Sequence, residues 1–131
     1  MLTKRGDTSP SIVATPTDAA GLIAQLSGSS VAHVIMRGVP AGTFTDAEIA
    51  ADFVSYQRVA GTMAAVPKVR ATASLSTGSG QITWTPTVSN VDSEGDWILE
   101  VEYDLDGNGQ RIQTAPTAGY VAWRIVQDED T

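Results

Sequence analysis

The stretch "WILEVEYDLDGNG", Trp97 to Gly109, sets the fold class of the chain. Apolar and polar residues alternate from Leu99 to Leu105, which indicates a β-strand with one buried face and one solvated face. The predicted buried residues are Trp97, Leu99, Val101, Tyr103 and Leu105, and the predicted solvent-facing residues are Glu100, Glu102 and Asp104. The segment that follows is rich in Gly and Asp, so the chain turns there.

Strand-like stretches separated by turn residues fill most of the remaining chain. They are "SIVATPT" (11–17), "LIAQLSG" (22–28), "VAHVIMR" (31–37), "KVRATASLS" (68–76), "QITWTP" (81–86) and "YVAWRIV" (120–126). Both faces of "VAHVIMR" carry apolar residues, which predicts a central strand covered on both sides. In "YVAWRIV" we expect Val121, Trp123 and Ile125 to face inward and Tyr120, Ala122 and Arg124 to face outward.

The segment from about residue 38 to 67 interrupts this strand pattern. Thr45 and Glu48 have the spacing of a helix capping box, and Gly61 is a plausible stop. We therefore predict a helix near 46–59, with a strand through "DFVSYQRV" as the competing interpretation, because these residues are β-branched or aromatic. The prediction is a single domain over 1–131. It is an all-β, immunoglobulin-like antiparallel β-sandwich of about seven strands with one short helical insertion.

The motif "DLDGNG", 104–109, has two interpretations. Asp104, Asp106 and Asn108, followed by Gly109, match the first half of a calcium-binding loop, but the twelfth position is Ala115, which lacks a ligand oxygen. Asp-Gly and Asn-Gly also favour a two-residue hairpin turn. Centring this turn on either dipeptide sets an apolar residue, Val101 or Leu105, opposite Ile112. The hairpin is favoured, and which dipeptide forms the turn stays open.

Composition excludes several classes of function. The 131 residues contain no Cys and one His, which excludes disulfides, thiolate metal sites and zinc sites with several His ligands. The net charge of −7, with scattered Lys and Arg, argues against nucleic-acid binding. No run of about 18 apolar residues and no signal-peptide core are present, so we expect a soluble protein without a membrane partner.

The remaining candidate residues do not form a catalytic constellation. His33 lacks a nearby nucleophile or carboxylate in the sequence, and Glu100 and Glu102 are typical of a solvated strand face. The tripeptide Arg5 to Asp7, "RGD", can occur by chance and lies where a first strand is expected, so it does not indicate a cell-adhesion signal. Trp84, Trp97 and Trp123 lie on the apolar phase of their strands, which favours a core over an exposed sugar-binding platform. We predict that the chain is not an enzyme and uses no cofactor.

The order of short motifs resembles a known family. The motifs are "LTKRGDT" at the start, "DAAGLIAQLSGSSVAHVIMR" (18–37), "GSGQITWTP" (78–86) and "DSEGDWILEVEYDLDGNGQRIQTAPTAGYVAWRIV" (92–126). Together they resemble the N-terminal immunoglobulin-like domain of bacteriophage baseplate upper proteins and related phage tail proteins. Trp97 stands where that family usually has Tyr, and the insertion is longer than in the family.

The resemblance implies a structural virion protein of a tailed bacteriophage. It would be an assembly adaptor in the tail, baseplate or fibre attachment region, assembled in the host cytoplasm. Its partners would be other virion proteins and copies of itself. We predict that they are contacted by the N-terminal strand, by the insertion through Phe44, Ile49, Phe53 and Tyr56, or by both. One alternative is a capsid decoration or head-to-tail neck protein, and another is a carbohydrate-binding or adhesion β-sandwich.

Overall fold

A computed structural model describes residues 1–8, 11–16, 26–109, 112–116 and 119–127. The strands are β1 Leu2–Lys4, β2 Ile12–Ala14, β3 Val31–Val39, β4 Val54–Ser55, β5 Val69–Thr72, β6 Ser74–Ser76, β7 Gln81–Trp84, β8 Gly95–Asp104, β9 Ile112–Ala115 and β10 Gly119–Val126. The helices are α1 Asp46–Ala51 and α2 Tyr56–Val59, with a 3₁₀ turn at Val88–Val91. The predicted mostly-β architecture is confirmed. Most of the predicted piece "LIAQLSG" lies outside the described residues.

The strands form two sheets. The large sheet has the order β1-β10-β8-β3-β5, with β4 added beside β10 and β9 beside β8, and the small sheet has the order β2-β7-β6. β1 runs parallel to β10, with Leu2 opposite Arg124, so the prediction of a wholly antiparallel protein is wrong at this edge. β3 lies between β8 and β5, which confirms that "VAHVIMR" is a central strand. Its predicted coverage on both sides is only partial, because on the outer face Val31 is exposed and His33 is half-buried.

The main core lies between the two sheets. Val34, Met36, Leu99 and Trp123 of the large sheet pack against Ile12, Ile82 and Trp84 of the small sheet. The rings of Trp84 and Trp123 meet edge to face with centroids 6.4 Å apart, and the indole N–H of Trp123 donates to Thr3 Oγ1 at 2.9 Å. Trp84 and Trp123 are core residues, as predicted. Trp97 is only partly buried, and the Lys68 ammonium lies 4.9 Å from the centre of its ring.

The stretch "KVRATASLS" crosses from one sheet to the other. Its first part is β5, which pairs with β3, and its second part is β6, which pairs with β7. The crossing residue Ala73 is buried, and its N–H donates to the Ala32 carbonyl at 3.0 Å. The prediction of one continuous strand is therefore wrong. Because the alternation of buried and exposed residues continues through Ala73, the pattern gives no sign of the change of sheet.

The insertion folds as a helix, a short strand and a second helical turn. The capping box is confirmed: the Glu48 N–H donates to Thr45 Oγ1 at 3.2 Å and the Thr45 N–H donates to Glu48 Oε1 at 3.0 Å. α1 ends at Ala51, because Asp52 adopts a left-handed conformation with φ of 55°. β4 then pairs with the start of β10. A single helix over 46–59 is therefore wrong, and the competing strand interpretation holds only for Val54–Ser55.

A second, smaller core lies beneath the insertion. Phe44, Ile49, Val54 and Val59 pack against Ile98 of β8 and Ala122 of β10. These two strand residues lie on the outer face of the large sheet, the face turned away from the small sheet. Ala122 lies on the outer face, as predicted, but its exposed fraction is 0% because the insertion covers it. The insertion thus adds a third layer over part of the large sheet.

Candidate functional site

Four polar side chains form a cluster on the uncovered part of the outer face. This outer-face cluster consists of His33 on β3, Arg70 on β5, and Glu100 and Glu102 on β8. In the strand register His33 lies opposite Glu102, and Ile35 lies between Glu100 and Arg70. Residues directly opposite in an antiparallel pair have neighbouring side chains. The sequence alone could not predict that His33 and Glu102 are neighbours, because their proximity depends on which strands pair.

Glu102 forms a salt bridge with an arginine of the cluster. Arg70 Nη2 lies 3.1 Å from Glu102 Oε1. Burial, followed by repulsion from Glu102, raises the pKa of Glu100, and attraction by Arg37 partly offsets the rise. The two carboxylates therefore have different environments, although both belong to one face of the strand as the alternation predicts.

Two tyrosines border the cluster on the side of the insertion. The rings of Tyr56 and Tyr120 meet edge to face with centroids 4.9 Å apart. Burial raises the pKa of the Tyr120 hydroxyl, and the charge of Glu100 adds to the rise. A carboxylate and aromatic rings thus lie near one another at the boundary between the large sheet and the insertion.

A small cleft opens on the other side of the cluster, toward the β8–β9 hairpin. Its volume is about 190 Å³. The lining residues are Val31, His33, Arg70, Glu102, Tyr103, Asp104, Gly107 and Ile112. Sites for drug-sized ligands usually exceed about 300 Å³. The cleft therefore suits one small polar group, and the prediction that the chain is not an enzyme stays a prediction.

Asp104 organises the hairpin loop beside this cleft. Its exposed fraction is 9%, so the prediction that it faces water is wrong. Its Oδ1 accepts the N–H groups of Asp106 and Gly107, both at 3.1 Å, and its Oδ2 accepts the N–H of Gly109 at 2.5 Å. A carboxylate at the start of a turn commonly satisfies backbone donors in this way.

The loop that Asp104 organises is longer than the predicted turns. Ile112 pairs with Asp104, and neither Val101 nor Leu105 lies opposite it, so both predicted registers are wrong. Seven residues, 105–111, separate the paired positions. Gly107 lies so close to the 27–30 turn that a Cβ atom there would be 2.1 Å from the Ser29 carbonyl oxygen. Position 107 therefore has no room for a side chain, and the loop packs against that turn.

The calcium candidates lie in this loop. Both carboxylate oxygens of Asp104 accept backbone N–H groups, whereas Asp106 and Asn108 are exposed near the tip. Among the residues that the structure describes, no group of three or more His, Asp or Glu side chains has a metal-binding arrangement. The geometry assigns to Asp104 a role in bracing the turn.

The predicted partner residues divide into two pairs. Phe44 and Ile49 are buried in the second core, because the insertion folds back on the outer face. Phe53 and Tyr56 are 37% and 39% exposed. Phe53 and Tyr56 are therefore the more accessible pair.

Phe53 borders a groove between the insertion and the small sheet. The groove has a volume of about 260 Å³. Its lining residues are Ile12, Val13, Ala14, Thr15, Asp52, Phe53, Val101, Ala115, Pro116 and Val121. Val13, on β2, is also exposed. We call this region the Phe53 groove, and its lining is mostly apolar.

Gly119 permits the insertion to reach the sheet beside this groove. A Cβ atom at position 119 would lie 2.1 Å from the Val54 carbonyl oxygen and 2.8 Å from Phe53 Cζ. Only glycine leaves room for β4 to pair with β10 at this point. The absence of a side chain at Gly119 therefore allows Phe53 and Val54 to approach the sheet this closely.

A buried ion pair anchors the start of the insertion. Asp96 on β8 is 2% exposed and accepts hydrogen bonds from Arg124 Nε at 2.8 Å and from the Phe44 N–H at 3.1 Å. Arg124 Nη2 also donates to the Phe44 carbonyl at 2.8 Å. Burial opposes ionisation of Asp96, but the hydrogen bonds from Arg124 and Phe44 prevail and hold its pKa below the ordinary value.

The N-terminal amino group joins the other end of α1 to the large sheet. Met1 N donates to the carbonyls of Ile49 at 2.7 Å and Ala122 at 2.6 Å. It also lies 2.6 Å from the Asp52 carboxylate. These contacts and the Asp96–Arg124 pair fix the helix of the insertion at both of its ends.

The "RGD" tripeptide lies in an exposed turn directly after β1. The Asp7 N–H donates to the Lys4 carbonyl at 3.0 Å, and Gly6 has a positive φ of 84°. The guanidinium of Arg5 is 4.0 Å from the Glu94 carboxylate. The strand expected near this position ends at Lys4, so the tripeptide belongs to a turn.

Comparisons of the chain with protein-family models, with curated proteins and with solved structures find no match. In the described part of the chain no helix is long and apolar enough to cross a membrane. The resemblance to phage tail proteins therefore rests on the sequence motifs.

Proposed function

We propose that the chain is a structural protein of a tailed bacteriophage particle, an assembly adaptor of the tail, baseplate or fibre attachment region. The observation that carries the proposal is the ordered succession of motifs from "LTKRGDT" to "DSEGDWILEVEYDLDGNGQRIQTAPTAGYVAWRIV". Its partners are neighbouring virion proteins and further copies of itself. A capsid decoration or neck protein is the alternative within the particle.

The strand order supports an immunoglobulin-like fold for this adaptor. Variable-type immunoglobulin domains place strands G, F, C and C′ in one sheet and strands B, E and D in the other. Here β10, β8, β3 and β5 are neighbours in the large sheet, and β2, β7 and β6 are neighbours in the small sheet. Taken in chain order, β2, β3, β5, β6, β7, β8 and β10 correspond to B, C, C′, D, E, F and G. This correspondence supports the immunoglobulin-like fold proposed from the motifs.

The Phe53 groove is the surface that we propose for contact with a neighbouring virion protein. It combines exposed Phe53 and Val13 with a mostly apolar lining. Interface centres are enriched in aromatic residues and depleted in charge. The ion pair of Asp96 with Arg124 and the contacts of the Met1 amino group hold the insertion against the sheet, so this surface is preformed.

Replacing Phe53 with aspartate is expected to reduce incorporation of the chain into particles by about ten-fold or more, because a buried aromatic contact would be replaced by an unpaired charge. The matched control is Val66→Asp, which places the same charge at another exposed apolar position outside the groove. Incorporation is measured by quantitative mass spectrometry of purified particles, after both variants are shown to keep the parental Tm. Equal incorporation of the two variants would exclude the groove as the contact surface.

A carbohydrate-binding module is the second candidate, and the outer face favours it. Tyr56 and Tyr120 lie near Glu100, so aromatic rings and a hydrogen-bonding carboxylate occur together there. Binding of the purified chain to a glycan array, abolished by Glu100→Ala with Tyr120→Ala, would support this candidate. Failure to bind any glycan would remove it.

A further inference from the structure

The hairpin loop contains the chain's only Asn-Gly pair, Asn108-Gly109, and its only Asp-Gly pair, Asp106-Gly107. Such pairs undergo a spontaneous reaction in which the backbone nitrogen of the glycine attacks the side-chain carbonyl carbon of the preceding residue. A succinimide ring forms, and asparagine releases ammonia whereas aspartate releases water. Water then opens the ring to aspartate or isoaspartate. Glycine permits the reaction because it has no side chain to hinder the approach.

The two attacking nitrogens are both held by one carboxylate. Gly107 N–H donates to Asp104 Oδ1 at 3.1 Å, and Gly109 N–H donates to Asp104 Oδ2 at 2.5 Å. Asp104 is itself buried at the end of β8. Attack requires each nitrogen to lose its proton and to turn toward the neighbouring side chain, and both changes break its bond to Asp104. Hydrogen bonds to a charged acceptor are among the stronger ones in proteins.

We propose that residues 106–109 are a site of spontaneous covalent modification and that Asp104 controls its rate. While the Asp104 carboxylate holds both glycine nitrogens, deamidation of Asn108 and isomerisation of Asp106 are suppressed. Opening of the loop releases the nitrogens and allows the reaction. This inference is independent of the proposed virion function, because it depends only on the loop and its chemistry.

Modification changes the surface next to the outer-face cluster. Deamidation of Asn108 adds one negative charge, and isoaspartate adds a methylene group to the backbone of the loop. Gly107 lines the cleft that contains His33 and Glu102, and it packs against the Ser29 carbonyl. A longer backbone at this point is incompatible with the three hydrogen bonds that Asp104 now accepts. Deamidation of Asn108 is irreversible because ammonia is lost, whereas isomerisation of Asp106 can reverse through the same succinimide.

The reaction is measured in the folded chain at neutral pH and 37 °C. Digestion after glutamate releases residues 103–129, in which Asn108 is the only asparagine, and mass spectrometry with an isoaspartate assay follows both products. Asn90 is an internal reference, since it precedes the β-branched Val91 and its Oδ1 accepts the Thr87 N–H at 2.7 Å. Asp104→Ala is expected to raise the rate at Asn108 by about ten-fold or more, a change equivalent to about 1.4 kcal/mol.

The matched control is Asp96→Ala, which removes another buried carboxylate of β8 far from the loop. We expect it to leave the rate at Asn108 unchanged. The proposal is overturned if Asn108 deamidates at the same rate in Asp104→Ala and in the parent. It is also overturned if Asp96→Ala raises this rate as much as Asp104→Ala does, because the increase would then come from global unfolding. Hydrogen exchange in the unaltered chain gives a second measurement: the Gly107 and Gly109 amides should exchange slowly, and exchange at the rate of unprotected amides would also overturn it.

Discussion

Replacing Asp96 with alanine is expected to lower the free energy of unfolding by about 3 kcal/mol at neutral pH. Removing one partner of a buried ion pair typically costs about 3–5 kcal/mol, because the other charge is left unpaired. We expect the lower value because Arg124 keeps some contact with solvent. A second carboxylate, that of Asp46, also remains 3.6 Å from Arg124 Nη1. The Phe44 N–H also loses its acceptor. Urea denaturation with a two-state fit measures the change.

The control is Asp46→Ala, which removes the other carboxylate near Arg124. The Asp46 side chain is fully exposed, so its ion pair is screened by water and its loss should leave stability nearly unchanged. If the two variants were equally stable, the Asp96–Arg124 pair would not be the anchor of the insertion.

The effect of Asp96→Ala should also depend on pH. The folded-state pKa of Asp96 is lowered, so its contribution to stability is fully present above the ordinary aspartate pKa. That contribution is lost as the pH falls from the ordinary value through the folded-state value. The difference between the parent and Asp96→Ala should therefore shrink in acid. A difference that stays constant from neutral pH into this range would contradict the assignment.

Replacing Gly119 with alanine is expected to cost about 3 kcal/mol, at the upper end of what overpacking usually costs. The added Cβ would meet the Val54 carbonyl and the Phe53 ring at distances that no atoms tolerate. β4 must then separate from β10, and the contact between Tyr56 and Tyr120 should be lost with it. Denaturant unfolding measures the cost, and trypsin cleavage after Arg58 reports release of the insertion.

The control for this steric argument is Gly78→Ala. A Cβ atom at position 78 would have nothing within 4 Å, so stability should stay unchanged. If Gly119→Ala were as stable as Gly78→Ala, with Arg58 equally resistant to trypsin, the close approach of the insertion to the sheet would be wrong.

The sequence predicts the strands well where one side of a strand faces the main core. The alternation around Leu99 and Val101 identifies the inner face of β8 because both residues contact the small sheet. It does not reveal that Ile98 and Ala122 are buried on the opposite face, because the residues that cover them come from the distant insertion. Ile98 and Ala122 are apolar residues on the otherwise polar face of their strands, but the alternation does not show which distant segment covers them.

The candidate sites illustrate the same limit. Tertiary contact decides that Asp104 is buried and holds backbone amides, and the local pattern alone placed it in solvent. His33 and Glu102 become neighbours only through the pairing of β3 with β8. The capping box of Thr45 and Glu48 could be predicted because its geometry is entirely local. The spacing of residues along the sequence predicts local hydrogen bonds, but it does not predict which residues of two paired strands lie opposite each other.

Particle composition tests the proposed function most directly. Particles are purified from a lysate of the cells that encode the chain, and the chain is quantified by mass spectrometry against the major capsid protein. The proposal predicts a fixed number of copies per particle, consistent with the symmetry of a tail or baseplate ring. Absence of the chain from purified particles, together with its presence in the soluble fraction of the same lysate, would contradict it.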